Sequence, residues 1–232
     1  MLEELKEKVC LANKKLAEYS LVAFTWGNVS GIDREKGLIV IKPSGVPYDE
    51  LSANDMVVLD LQGKKVQGDK KPSVDTATHI VLYRAFENIG GIAHTHSKWA
   101  TIWAQACKAI PPYGTTHADF AHGCIPCTEK LTKDEVSSEY EKNTGEVIAR
   151  YFIENKLDPL AIPAVLAAGH GPFTWGTDCF EAADNAAVLE EIAMTAWHTR
   201  VLAPEALPVD DYLLDKHYYR KHGPGASYGQ KK

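Results

Sequence analysis

The sequence predicts an α/β fold, and three observations carry that expectation. Segments with helical spacing of apolar residues alternate with short β-rich runs along the chain. The 232 residues are 45 % hydrophobic and 24 % charged, enough for one sizeable core and too ordinary a mixture for wholesale disorder. Neither a repeat nor a long linker interrupts the pattern, so residues 1–232 are expected to form a single domain.

Leu2, Leu5, Val9, Ala12 and Leu16 fall on one face of an opening helix. Phe24 to Ile32 and Gly37 to Lys42 read as a β-hairpin joined by the polar turn at Asp33–Gly37. Met56 to Leu61 predicts a strand, with a Gln62-Gly63-Lys64 turn leading to a short partner around Val66. Asp75 to Phe86 is helical in pattern, and Pro72-Ser73 precedes it as a helix N-terminus requires. Gly91 to His96 predicts a strand, after which Ser97 is placed to cap a helix from Lys98 to Cys107. Helices are expected from Lys133 to Asn155 and from Asp178 to about Leu202, with a strand from Pro163 to Ala168 between them. A last helix around Leu213 to Lys221 leads into a Gly/Pro-rich tail.

Charge and composition exclude several classes. With 25 Lys+Arg against 31 Asp+Glu, the net charge of −6 argues against a general nucleic-acid binder. No stretch approaches the roughly 20 apolar residues of a membrane span, and the acidic, amphipathic N-terminus is unlike a signal peptide. The five cysteines are scattered and odd in number, unlike a disulfide framework, so the expected compartment is the cytoplasm. From Tyr212 onward the chain turns basic, with Lys216, Arg220, Lys221, Lys231 and Lys232 against Asp215; such a tail suits an anionic substrate or simply solvent.

The sharpest chemical feature is His94-Thr95-His96. In an extended strand the period of two points both imidazoles to one face, a costly way to fill a core unless they share an ion. His170 follows the apolar run Ala164–Ala168 at the end of a strand opening into a loop, where sites are commonly built. Three histidines with an open position are the donor set of a catalytic zinc, and Asp75 at a helix start could complete or tune it. The same set also serves zinc hydro-lyases and iron cupins, so the metal alone leaves the reaction open. Gly27-Asn28, Lys42-Pro43-Ser44-Gly45 and Pro72-Ser73-Val74 offer small residues and backbone N–H groups suited to an anion, although ordinary turns have the same composition. Cys124-Ile-Pro-Cys127 lacks a second CxxC or thioredoxin-like surroundings and reads as a pair of buried structural thiols. His79 lies on the helix pattern after Asp75, and His117, His122, His198 and His222 have no partner spacing that assigns them a role.

Taken together, Thr25-Trp-Gly-Asn-Val-Ser30, Ile41-Lys-Pro-Ser-Gly45, Gly91-Ile-Ala-His-Thr-His-Ser97, Gly114-Thr-Thr-His-Ala-Asp119, His170-Gly-Pro-Phe-Thr-Trp-Gly176, Lys216-His217 and Tyr228-Gly-Gln230 resemble the L-ribulose-5-phosphate 4-epimerase family of the class II aldolase/adducin superfamily. The resemblance runs nearly end to end. It implies a three-layer α/β/α domain with a mixed central sheet, and a cyclic homotetramer with active sites between subunits. It also implies one Zn2+ per subunit at His94, His96 and His170, with Asp75 assigned to the same site. Asp119 and Tyr228 match the two acid/base residues, the tyrosine acting across the subunit boundary. Gly27, Asn28, Lys42, Ser44, Gly45 and Ser73 match the segments that bind the phosphosugar. Val74 stands where the family usually has a second serine.

The activity so implied is interconversion of L-ribulose 5-phosphate and D-xylulose 5-phosphate by retro-aldol cleavage of C3–C4, rotation of the aldehyde and re-addition. Zinc would stabilise the negative charge that develops on the C2 and C3 oxygens. A class II sugar-phosphate aldolase shares this chemistry but releases the aldehyde. A non-catalytic adducin-like interaction domain would be expected to lack the histidines.

Overall fold

The computed structural model describes residues 2–223, 225 and 226. Helix α1 (Leu2–Glu18) buries Val9, Ala12 and Leu16, the stripe its spacing requires. Strands β1 (Asn28–Asp33) and β2 (Leu38–Ile41) form the expected hairpin, and β3 (Val57–Asp60) pairs with the short β4 (Lys65–Gln67). Helix α2 (Thr76–Ala85) precedes β5 (Gly91–His94), α3 (Lys98–Gln105) and α4 (Thr115–Phe120). Then follow α5 (Lys133–Ser137), α6 (Tyr140–Glu154), β6 (Ala164–Ala167), β7 (Gly171–Gly176), α7 (Cys179–Leu202) and α8 (Asp211–His222). No described helix is long and apolar enough to cross a membrane.

The strands make one seven-stranded sheet in the order β4-β3-β2-β1-β5-β7-β6. Every ladder in it is antiparallel. The expected mixed sheet is therefore corrected: among the described residues a parallel bridge occurs only as the isolated pair Cys127–Leu166. The connectivity supplies the reason, because hairpins join β1 to β2, β3 to β4 and β6 to β7, while β5 meets β1 and β7 with reversed direction on both sides.

The three-layer arrangement holds. On one face Val29, Val40 and Ala93 pack with Val9, Leu16 of α1 and Ala182, Ala183 of α7. On the other, Ile39, Ile92 and Trp175 pack with Leu82 of α2 and Val147, Phe152 of α6. Alternation along β1 carries both surfaces: Val29 joins the α1 side and Ile32 the α2 side.

Four local expectations change. Strand β5 ends at His94, so Thr95 and His96 lie in the following loop. Ser97 occupies the N-cap position of α3 without a side-chain cap bond; Glu190 of α7 instead accepts from the Trp99 and Ala100 N–H groups at 2.9 and 3.0 Å. The long helix foreseen between Lys133 and Asn155 is broken, and Thr132 with Glu135 forms a capping box for its first piece. Cys124 is exposed rather than buried, and burial pushes the Cys127 thiol up to about 11.

Candidate metal centre and anion cleft

His94 is the last residue of a fully buried strand, and its ring stacks on Phe173, its partner across the β5–β7 ladder. His94 Nδ1 donates to the Pro172 carbonyl at 2.9 Å, which directs Nε2 away from the ladder as an acceptor. His96 reaches the same point from the loop: its Nε2 lies 3.1 Å from His94 Nε2. His170 sits in the tight turn between β6 and β7 and brings its ring centroid to 4.7 Å from His94 and 5.0 Å from His96. Ligand atoms of all three lie within 4.8 Å of one another.

That geometry fits a metal ion. Two facing imidazole nitrogens at 3.1 Å match the separation expected when both bind one tetrahedral ion at about 2.0–2.1 Å. Burial holds His96 below its ordinary pKa and pushes His170 down to about 3, keeping both rings neutral as ligands must be. Gly171 makes the approach possible, since a Cβ there would lie 2.9 Å from the Thr95 carbonyl and 3.4 Å from the His96 ring.

The three histidines line a cavity of about 470 Å³ together with Gly27, Lys42, Ser44, Gly45, Ser73, Val74 and Asp75. The structure thus brings nearly the whole set of sequence-singled residues to one place. Asn28 lies beneath it, its Nδ2 donating to Ser73 Oγ at 2.9 Å and to Asp75 Oδ2 at 2.7 Å. Asp75 is not among the mutually close ligand atoms of the histidine cluster. Burial pushes its carboxyl up, but His94, His79 and the Asn28 bond outweigh that and hold it below the usual range.

The two loops of the cleft are zipped together. Ser44 N–H donates to the Lys71 carbonyl and Ser73 N–H to the Lys42 carbonyl, around the Pro43–Pro72 bridge. Those two amides are spent, contrary to the expectation of free ones, and the Ser73 hydroxyl is engaged by Asn28 and Asp75; the Ser44 hydroxyl and the amides of Gly45 and Val74 remain for an anion. Lys42 is buried, its Nζ donating to the Thr25 and Pro43 carbonyls at 3.3 Å each, and burial pushes its pKa down to about 8. Gly27 adopts φ +76°, where a Cβ would press to 2.9 Å from the His94 carbonyl.

Asp119 is elsewhere. It lines a different cavity, of about 510 Å³, with Trp175, Tyr218 and Lys221. Arg220 Nε and Nη2 donate to its two oxygens at 3.0 and 2.8 Å, and His217 Nδ1 lies 3.0 Å from Oδ1. Burial pushes this carboxyl up, yet Arg220, His217 and Lys221 hold it below its ordinary value. Tyr228 lies outside the described residues. Sequence reasoning missed Tyr140 and Glu141, which line the histidine cavity from the start of α6, and the supporting role of Phe173. The Phe173 signal was available, since it sits three residues after His170; nothing in the sequence marks Tyr140.

The chain matches the family described as Class II Aldolase and Adducin N-terminal domain over residues 7–197. It is 54 % identical to the L-ribulose-5-phosphate 4-epimerase UlaF of Salmonella typhi and to that of Salmonella paratyphi C, covering 99 % of this chain and 100 % of each relative. Among solved structures it is similar to an L-fuculose 1-phosphate aldolase, with a TM-score of 0.79 and 25 % identity over 94 % of this chain and 95 % of that one. The L-fuculose-1-phosphate aldolase of Thermus thermophilus shares the fold at a TM-score of 0.67 and 23 % identity, covering 88 % of this chain and 98 % of that one.

Proposed function

The chain belongs to the class II aldolase and adducin family, and on that premise we propose that it is an L-ribulose-5-phosphate 4-epimerase that forms D-xylulose 5-phosphate. The observation that carries this reading is the shared cavity, in which three imidazoles face loops with anion-suited hydroxyls and amides.

In the substrate, C4 is β to the C2 carbonyl, so its hydrogen is not acidified and direct deprotonation cannot invert it. Cleaving C3–C4 gives an enediolate and glycolaldehyde phosphate; rotating the aldehyde and re-forming the bond inverts C4. Zinc held by His94, His96 and His170, with Asp75 beside them, would supply Lewis-acid stabilisation of the negative charge on the substrate oxygens. Ser44, Gly45 and Val74 hold the phosphate, anchoring the aldehyde fragment while it turns. Asp119 and Tyr228 exchange the C4 hydroxyl proton on opposite faces. Because Asp119 lines a separate cavity and is tied to α8, it serves the histidine site of a neighbouring subunit. A cyclic homotetramer supplies that arrangement, and the exposed Leu202, Leu207 and Tyr212 near the start of α8 support an interface there.

The test follows L-ribulose 5-phosphate by NMR with the pure protein. Xylulose 5-phosphate should appear, vanish with chelator and return with zinc. Accumulation of free dihydroxyacetone and glycolaldehyde phosphate instead would favour the aldolase reading, which the likeness to L-fuculose 1-phosphate aldolase keeps as the second choice.

A further inference from the structure

Tyr48 takes no part in the mechanism above, yet it ties together two of the loops that line the anion cleft. It is buried, and it follows Ser44 and Gly45 in the same loop. Its hydroxyl shares one proton between the Trp26 and Gly27 carbonyls, at 2.7 and 2.9 Å. Burial pushes the phenol pKa well above its ordinary value, so the group stays a donor at neutral pH.

The loop it grips is strained. Phe24 sits at φ +55° and Gly27 at φ +76°. The Phe24 side chain is 81 % exposed, so core packing does not enforce that backbone, and something else must hold it. The trans peptide gives the grip of Tyr48 a direction. In the plane joining residues 26 and 27, the carbonyl of one and the N–H of the next point to opposite sides. Anchoring the Trp26 carbonyl on Tyr48 therefore turns the Gly27 N–H away from Tyr48. Gly27 lines the cleft, and its N–H meets no acceptor among the described residues.

The ring face has a second task. Lys42 Nζ lies 4.8 Å from its centroid, and the same ammonium donates to the Thr25 and Pro43 carbonyls, so it joins the same two loops. Among the described residues no carboxylate forms an ion pair with this buried cation. A buried charge held only by carbonyls and an aromatic face calls for an anion. We propose that Tyr48 is a positioning residue of the cleft: its hydroxyl aims the Gly27 N–H, and its ring stations the Lys42 ammonium, at the phosphate of the substrate. This deepens the epimerase reading and rests on the anion cleft described above. Tyr48 does not line the cleft, so it acts only through these two groups. Gly27, Gly45 and Val74 then give the anion backbone donors from three loops.

The first measurement titrates inorganic phosphate into the full chain and follows backbone amide resonances. In the wild type Gly27, Gly45 and Val74 should move with one midpoint. Tyr48→Phe keeps the ring and removes only the hydroxyl; phosphate affinity should fall on the order of tenfold, as for one lost hydrogen bond to a charged group. The Gly27 amide should lose its response while Gly45 and Val74 keep theirs. Tyr48→Leu, which removes the ring as well, should bind phosphate more weakly still. Equal affinity in wild type and folded Tyr48→Phe, or a Gly27 amide that responds as in the wild type, overturns the proposal.

The second measurement is turnover. Tyr48→Phe should raise KM for L-ribulose 5-phosphate on the order of tenfold with kcat little changed, while zinc affinity by chelator competition stays at the wild-type value. Zinc lost in step with phosphate makes Tyr48 a support of the fold and overturns the proposal. Failure of the cleft reading shows in the wild type, whose three amides then ignore phosphate, and the proposal falls with it. Failure of the epimerase reading alone leaves the wild type without turnover, and the phosphate titration still decides. If Tyr48→Phe does not fold, the wild type decides. Its Lys42 side-chain resonances, shifted by the Tyr48 ring, should move at the phosphate midpoint of the Gly27 amide; Lys42 signals blind to phosphate overturn the proposal.

Discussion

His94 and Phe173 face one another across the β5–β7 ladder with their rings stacked, centroids 4.1 Å apart and planes 17° apart. The phenyl ring is fully buried and forms one wall against which the imidazole is set. Phe173→Ala should therefore lose about 3–5 kcal/mol of stability, as large-to-small core changes do, measured by urea unfolding of the metal-free protein. Chelator competition should show weaker zinc retention in the same variant, because the His94 ring loses its backing.

His96 reaches the centre from the loop after β5 and is exposed, so little packing depends on it. His96→Asn should keep the wild-type circular dichroism and melting temperature in the metal-free state while zinc content falls sharply. Full zinc occupancy with normal turnover would remove His96 from the centre.

Val74 is 66 % exposed at the edge of the cleft, flanked by Ser73 and Asp75. It offers an anion its N–H but no hydroxyl. A hydrogen bond to a charged group contributes about 1.5–3 kcal/mol. Val74→Ser should accordingly lower KM for L-ribulose 5-phosphate several-fold with little change in kcat, the pattern of binding shared by ground and transition states. An unchanged KM would mean that the backbone already saturates the phosphate.

His117 is buried with Nε2 2.8 Å from the Gly123 carbonyl, and burial pushes its pKa down to about 4 from an ordinary 6.5. Between those values the unfolded chain binds more protons than the folded one, so stability falls as pH drops from about 6.5 to 4 and is fully present above 6.5. The slope from this group is about 1.4 kcal/mol per pH unit. In urea titrations of metal-free protein across that window, His117→Gln should show a shallower loss than wild type. Parallel curves would place the acid sensitivity elsewhere.

Arg220 binds both oxygens of Asp119 and pins α8 to α4. Arg220→Met should raise the Asp119 carboxyl pKa, read by carbon NMR, since a charged hydrogen-bonding partner has gone. Epimerisation should fall as well, because the aspartate is no longer aimed. An Asp119 titration identical to wild type would show that His217 and Lys221 suffice.

Much of the fold was legible because its signals are local. The stripe of Val9, Ala12 and Leu16, the 62–64 turn and the Asp178 cap of α7 each announce an element within a few residues. Strand β7 escaped because Gly171-Pro172 and Gly176 read as loop residues; Pro172 is tolerated, its carbonyl serving His94 instead. Helix α4 is six residues long, too short for a period to show. The Glu190 cap on α3 joins groups some 90 residues apart, which no local pattern encodes. The histidines and cleft loops were legible as chemistry. Their support by Phe173, Gly171 and Tyr140 depends on pairing across the sheet and on the approach of α6.

The bond from His94 to the Pro172 carbonyl spans 78 residues of chain. Its consequence is kinetic. Before that loop closes, His170 is a stranger to the His94–His96 pair in an open coil, and closing it costs entropy that grows with loop length. An ion at this centre therefore captures a chain that has already joined β5 to β7. It prolongs the lifetime of the native state more than it hastens its formation.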